Sequence, residues 1–276
     1  MTTYSKVYPP YQLNTFQECP VKWDYGKRWK PQPGQNSAAM LLAGMLGNAL
    51  SVGLAEFLSS TEEEPVRRGR ACDLAVEYAL SHWTPEMTSK SKIQAGTMAV
   101  GATNIGTKTL LPLKEILAVE QFVGRVIRPD VVGRDFEGNL AVLDHKFKAN
   151  LDDRYFDKEL RRYNNSNQFL EYAWLVGQEY GEPVNVVYVH IVVLNPLPQT
   201  IIHRVLTPQA RIDHWLKGAR TDWFVMQAIE TGNTDASPRY TSCETPNFGP
   251  CHFNDACHVL HGDESTFAAA GYEVTR

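Results

Sequence analysis

The sequence predicts an α/β fold with a mixed central β-sheet flanked by helices. Three observations carry that prediction. Up to about residue 110 the pattern is helical rather than alternating. A β-rich hairpin follows over 115–147. A helical stretch at 155–179 then leads into VNVVYVHIVVL (184–194), a continuous apolar run of the kind buried on both faces of a sheet.

The elements follow in order. Asn14 is placed to cap a short helix over 15–29, with Pro20 in its early turns. Residues 37–58 (SAAMLLAGMLGNALSVGLAEFL) have helical composition and no proline. Residues 62–83 carry helical spacing through Ala71, Leu74, Ala75, Tyr78 and Leu80, and 84–110 reads as helix and loop. Strands are expected at 115–127, 130–134 and 139–147, the last two joined by the turn Asp135–Gly138. After the helix at 155–179 and the buried strand come IIHRVL (201–206) and an amphipathic helix over 208–230, opened by Thr207-Pro208. The expected division is an N-terminal segment (1–36), a helical region (37–111), a core (112–230) and a cysteine-rich tail (231–276).

Composition narrows the function classes. The 276 residues are 43% hydrophobic and 21% charged, which excludes a disordered chain. The net charge of −4 argues against nucleic acid coating the whole surface but leaves room for a local basic groove. No apolar run is expected to span a bilayer, and no secretory leader is recognisable, so the expected compartment is the cytoplasm and no membrane partner is expected. There, five cysteines point to metal or redox chemistry before disulfides.

The chemistry-bearing constellation is Arg128-Pro129-Asp130, thirteen residues, then Asp144-His145-Lys146. Asp144 and Lys146 lie two apart on a strand and so share a face. Asp144 follows LAVL, a buried-strand sequence, and a carboxylate there is costly unless paired or metal-bound. Two converging carboxylates repel, and a divalent cation resolves the repulsion. Mg²⁺ takes one or two carboxylates and fills its octahedron with waters and substrate phosphate. Such a site suits phosphodiester hydrolysis, with Lys146 orienting a water or stabilising the transition state. The competing reading is an exposed Asp144–Lys146 ion pair. Likewise Lys146, Lys148, Arg154, Lys158, Arg161 and Arg162 form either a phosphate-tracking run or a solvated helix face paired with Asp152, Asp153, Asp157 and Glu159. His190, in an apolar strand, reads as a satisfied core histidine, and Trp23, Trp29 and Trp83 as packing. There is no phosphate-cradling G-x-x-x-x-G-K-[ST] motif.

These residues resemble the PD-(D/E)xK nuclease superfamily through Asp130…Asp144-x-Lys146. The wider set resembles its RecB-like branch, which includes CRISPR-associated adaptation exonucleases and the nuclease domains of bacterial recombination helicases. Phe16-Gln17-Glu18-Cys19-Pro20 is similar to the branch's F-x-x-C-P. Glu120 is similar to the head of its Glu-led strand, and Gln168-Phe169-Leu170-Glu171-Tyr172 to its Q-x-x-x-Y. The resemblance implies a restriction-endonuclease-like core and a Mg²⁺- or Mn²⁺-dependent deoxyribonuclease, an exonuclease before an endonuclease. The implied substrate is single-stranded or end-containing DNA, with a recombination or adaptation protein as partner, in a bacterial or phage setting. It assigns the metal to Asp130, Asp144 and the His145 carbonyl, catalysis to Lys146, the cleft wall to Gln168 and Tyr172, and a lesser role to Glu120. One departure stands out: Ser51 occupies the place of the branch's helical metal-binding His. Four cysteines could hold Zn²⁺ or an iron–sulfur cluster, and spacing alone does not choose. Cys251-x-Phe253-x-x-x-Cys257 resembles the branch's cluster-binding C-x-F-x-x-x-C. The resemblance therefore implies a structural [4Fe–4S] cluster on Cys19, Cys243, Cys251 and Cys257, with Zn²⁺ as the alternative. Cys72 reads as an ordinary core thiol.

Overall fold

The computed structural model describes residues 6–30, 38–85, 91–151, 153–195 and 197–237, with short pieces of the tail at 244–245, 249–251, 253, 256–257, 264–268 and 272–274. The helices are α1 (Pro10–Glu18), α2 (Pro20–Arg28), α3 (Ala38–Ser59), α4 (Glu64–His82), α5 (Lys92–Gly106), α6 (Asp153–Asn164), α7 (Asn167–Tyr180) and α8 (Gln209–Glu230). The strands are β1 (Trp29–Lys30), β2 (Glu115–Val119), β3 (Val131–Arg134), β4 (Leu140–Asn150), β5 (Val186–Asn195), β6 (Gln199–Leu206), β7 (Glu244–Thr245), β8 (Gly249–Pro250) and β9 (Glu273–Val274). The chain forms two compact units: Ser37–Ile212, and Met1–Asn36 with Asp213–Arg276.

The 37–212 unit holds a five-stranded sheet in the order β2-β3-β4-β5-β6. All its pairs are antiparallel except β4 with β5. That one parallel pair requires a crossover, which α6 and α7 supply. The sheet is therefore mixed, as expected. The β3–β4 turn is specified locally. Asp135 Oδ1 accepts from the backbone N–H of Glu137 and of Asn139, each at 2.9 Å, and Gly138 takes φ +87°, which costs glycine little.

Strand alternation assigns the two faces. Val142, Val187, Val189, Ile191 and Val193 pack with Phe169, Tyr172, Ala173 and Val176 of α7. On the opposite face, Leu143 and Tyr188 pack near Leu58, and Val192 near Leu50 and Leu54 of α3. Helices α3, α4 and α5 approach closely because small residues line them: Ala75 and Ala79 of α4 pack with Ala95 and Ala99 of α5, and Ala71 and Ala102 are likewise fully buried. A Cβ on Gly53 would stand 2.8 Å from the Ala71 carbonyl oxygen, so α3 needs glycine there.

Four expectations are corrected. The single helix over 15–29 is two helices, broken at Cys19, whose extended backbone (φ −159°, ψ 116°) is what the residue before Pro20 requires. The helix at 155–179 is likewise two, separated at Asn165 and Ser166. The strand at 115–127 ends at Val119, because Glu120, Gly124 and Arg125 all take positive φ and turn the chain into a loop. Finally, Leu41–Ser59 of α3 is long and apolar enough to cross a membrane by length and composition. In the fold this stretch supplies Leu42, Met45, Leu46 and Ala49 to a buried cluster with α4 and α5.

In the second unit, Cys19, Val21, Tyr25, Phe253, Ala256, Phe267 and Tyr272 form a buried cluster, and β1 pairs with β9. Glu230 of α8 gathers Lys6, Tyr8 and Lys27.

Candidate active site

The site is built where β3 and β4 meet beneath α7. Asp130 immediately precedes β3, and Asp144 and Lys146 lie on β4 on the face that α7 covers. Asp130 Oδ2 accepts from the His145 backbone N–H at 2.6 Å, which ties the head of one strand to the middle of its neighbour. Lys146 Nζ lies 2.7 Å from Asp144 Oδ2 and donates to Gln168 Oε1 at 3.3 Å. Gln168 Nε2 donates to Asp144 Oδ1 at 3.1 Å and to the Tyr172 hydroxyl at 2.8 Å. Gln168 and Tyr172 can act together because they are one helical turn apart on α7.

The electrostatics follow from crowding and burial. Asp144 is 2% exposed. Burial, then the neighbouring Asp144, pushes the Asp130 carboxyl well above the usual carboxylate range, against the pull of the His145 N–H and Lys146. Burial also raises Asp144, with Lys146 opposing. For Lys146, burial pulls down, but the Asp144 ion pair and the Asp130 charge outweigh it and raise the ammonium. Burial raises the Tyr172 phenol, and Asp144 adds to it.

Glu120 stands at the edge of this group. Its Oε2 pairs with Arg128 Nε at 2.9 Å. Its carboxyl is raised by burial, lowered by Arg128 and raised again by Asp144. Glu120, Arg128 and Asp130 line an open cavity of about 580 Å³, whose other wall includes Asn48, Ser51 and Tyr78. Ser51 thus faces the same cleft as Asp130.

On the opposite face of β4, His145 points into the interior. Its Nδ1 lies 2.9 Å from Nδ1 of His190, its register partner on β5. Burial, with the neighbouring ring and Lys146, holds His145 well below its usual value, and burial pulls His190 down to about 4. The Nε2 of each ring has no hydrogen-bond partner among the described residues. His190 is therefore only partly the satisfied core histidine expected.

A family model described as the PD-(D/E)XK nuclease superfamily matches residues 9–258. The chain belongs to the PD-(D/E)XK nuclease superfamily. No curated protein matches it. Among solved structures it is similar to a protein from Eubacterium rectale described only provisionally as an exonuclease. That match has 10% identity and TM-score 0.42, and covers 98% of this chain and 96% of that one. A second similarity, to SSO0001, has 15% identity and TM-score 0.28, and covers 77% of this chain and 95% of that one.

For this nuclease-superfamily chain, the implied divalent metal can be tested against the residues present. Among the described residues, no three His, Cys, Asp or Glu side chains are grouped to hold an ion. Two carboxylates suffice for Mg²⁺ when a backbone carbonyl, waters and phosphate complete the shell. Asp130, raised by burial and by the Asp144 charge, and Asp144, raised by burial, fit that demand.

The expected ligands of the second group lie elsewhere. Cys19 is buried, and Cys251 and Cys257 pack against the same cluster. Burial, joined by Cys19, pushes the Cys251 thiol up. Cys243 lies outside the described residues. The basic run divides: Lys148 pairs with Glu159, whereas Lys158, Arg161 and Arg162 are exposed. Sequence reasoning missed the His145–His190 contact, which the β4–β5 register creates. It also missed Glu171, fully buried with neither carboxylate oxygen hydrogen-bonded among the described residues, although Glu171 sits inside the Q-x-x-x-Y motif itself.

Proposed function

We propose that this chain is a Mg²⁺- or Mn²⁺-dependent deoxyribonuclease that removes nucleotides from single-stranded or end-containing DNA. The observation that carries this is the joining of Asp130, Asp144, Lys146, Gln168 and Tyr172 into one connected group beside an open cleft. Asp130, Asp144 and the His145 carbonyl would hold the metal, which when bound lowers the pKa of a water and neutralises charge on the phosphate. Lys146, held by Asp144 and Gln168, is positioned to stabilise the charge that develops on the transferred phosphate. Gln168 keeps the Asp144 carboxylate turned toward Lys146, and Tyr172 anchors Gln168. Exposed Lys158, Arg161 and Arg162 of α6 would track the strand backbone.

The reading extends to the RecB-like branch. We assign Cys19, Cys243, Cys251 and Cys257 to a structural [4Fe–4S] cluster, with Zn²⁺ as the alternative; the resemblance to the RecB-like branch motivates this, and Cys19, Cys251 and Cys257 share one buried cluster. We assign the work to the cytoplasm, where thiol ligands stay reduced, beside a recombination or adaptation protein. Anaerobically purified protein should show a band near roughly 400 nm that dithionite bleaches; a colourless, zinc-loaded protein would favour the alternative.

The deciding experiment digests end-labelled DNA with and without Mn²⁺, comparing the natural protein with Asp144→Asn. Loss of product by at least about a hundredfold in the variant is expected. Full activity in the variant would overturn the assignment. Ser51 on the cleft wall favours a second reading, a DNA-binding module of the same fold with weak or absent hydrolysis. It predicts salt-sensitive DNA binding with no product at any Mn²⁺ concentration.

A further inference from the structure

The loop between β2 and β3 is not used by the chemistry above, yet it rims the same cleft. It is closed at its base by the Glu120 N–H donating to the Asp130 carbonyl at 3.0 Å, and internally by the Val123 N–H donating to the Ile127 carbonyl at 2.9 Å. Val123 and Ile127 are buried, at 5% and 2% exposure, and anchor it in the sheet's core. Glu120 and Arg125, neither a glycine, take positive φ (51° and 59°), a conformation that the anchors must enforce. The loop is thus a fixed shape, and what it holds out is Phe122.

The Phe122 ring is 68% exposed. An apolar ring in water has a cost that a rigid loop could avoid by turning it inward. The Cζ of Arg128 lies 5.8 Å from the ring centroid, and the same guanidinium pairs with Glu120 and lines the cleft with Asp130. Arg125 is exposed in the same loop. The other large exposed aromatics of the 37–212 unit do not share this setting: Phe136 lies in the β3–β4 turn, at the end of the hairpin away from Asp130.

We propose that Phe122 is a stacking platform for an unpaired nucleobase next to the scissile phosphate, with Arg128 behind the ring and Arg125 set to meet a neighbouring phosphate. This rests on the nuclease reading and deepens it: the loop selects a strand whose terminal base is unpaired. An aromatic face accepts any base, so the selection is for strandedness and not for sequence. A base inside a duplex already has its stacking partners and gains nothing from the ring.

The test uses the full-length protein with Ca²⁺ in place of the catalytic ion, and short DNA carrying 2-aminopurine near one end, single-stranded or in a blunt duplex. The natural protein should quench the single-stranded probe. Phe122→Ala should remove the quenching and weaken single-strand binding by about tenfold, with Phe122→Trp restoring both. In Mn²⁺ digestion, Phe122→Ala should raise KM for single strands by a similar factor with little change in kcat, and leave duplex cleavage unchanged. Because the ring is exposed, the alanine variant empties no core. Quenching and KM unaltered in Phe122→Ala, in protein that still binds and cleaves DNA, would overturn the platform while leaving the nuclease intact. A natural protein that neither binds nor cleaves DNA would overturn the nuclease reading itself.

Discussion

Asp144 on β4 and Glu171 on α7 are carboxylates sealed from solvent in the same unit, 2% and 0% exposed, and the fold treats them in opposite ways. Asp144 has an ammonium at 2.7 Å and an amide donor at 3.1 Å. Among the described residues neither oxygen of Glu171 has a hydrogen-bond partner, and burial lifts its carboxyl to about 8. A buried carboxylate needs either a partner or a proton. Around Asp144, Lys146 and Gln168 supply partners, and Lys146 opposes the rise that burial causes. The interior position of α7 keeps its acid neutral.

Breaking the compensated side should have the largest effect. Lys146→Met strips Asp144 of its cation and leaves a buried charge, a change that typically costs about 3–5 kcal/mol. Urea unfolding should show that loss, and cleavage should vanish with it. The uncompensated side should respond in the other direction. Glu171 has a folded pKa of about 8 against an ordinary 4.5, so the folded state keeps a proton that the unfolded chain releases. The stability this provides is complete below about pH 4.5, is lost as pH rises toward 8, and then levels off. Glu171→Gln should therefore stabilise by a few kcal/mol at pH 8 and change little at pH 4.5, read from melts at both values. A variant that gains nothing at pH 8 would mean the carboxylate has a partner after all.

Smaller effects sharpen the contrast from the opposite face of β4. His190→Leu removes the only ring partner described for His145 and leaves a buried Nδ1 unsatisfied, a cost of about 1–3 kcal/mol. Loss of stability without loss of cleavage would assign the histidine pair to packing alone. Smallest is Tyr172→Phe, which removes the hydroxyl that accepts from Gln168 but leaves the ring in the core. A drop in kcat of roughly threefold to tenfold is expected, with melting nearly unchanged.

Much of this site was legible in the chain itself. The spacing of Asp144 and Lys146 places them on one strand face whatever the rest does, because a strand repeats every two residues. The turn residues Asp135 and Gly138 specify the hairpin that brings Asp130 alongside. The breaks at Cys19 and at Asn165–Ser166 are not legible in the spacing, since helical periodicity continues across them and the backbone geometry sets them. The loop at 120–127 has β-rich composition, and Val123 and Ile127 do face the core, but they do so from a turn that positive φ at Glu120, Gly124 and Arg125 creates.

Local chemistry along the chain thus determined the hairpin, the polar trio and the buried parallel strand, since each depends on neighbours a few residues apart. Only the tertiary structure decided which face α7 covers, that Ser51 shares a cleft with Asp130, that His145 meets His190, and that Phe122 is held out in water. Those depend on the β4–β5 register and on helix packing, where partners lie tens of residues apart and no local pattern records the pairing.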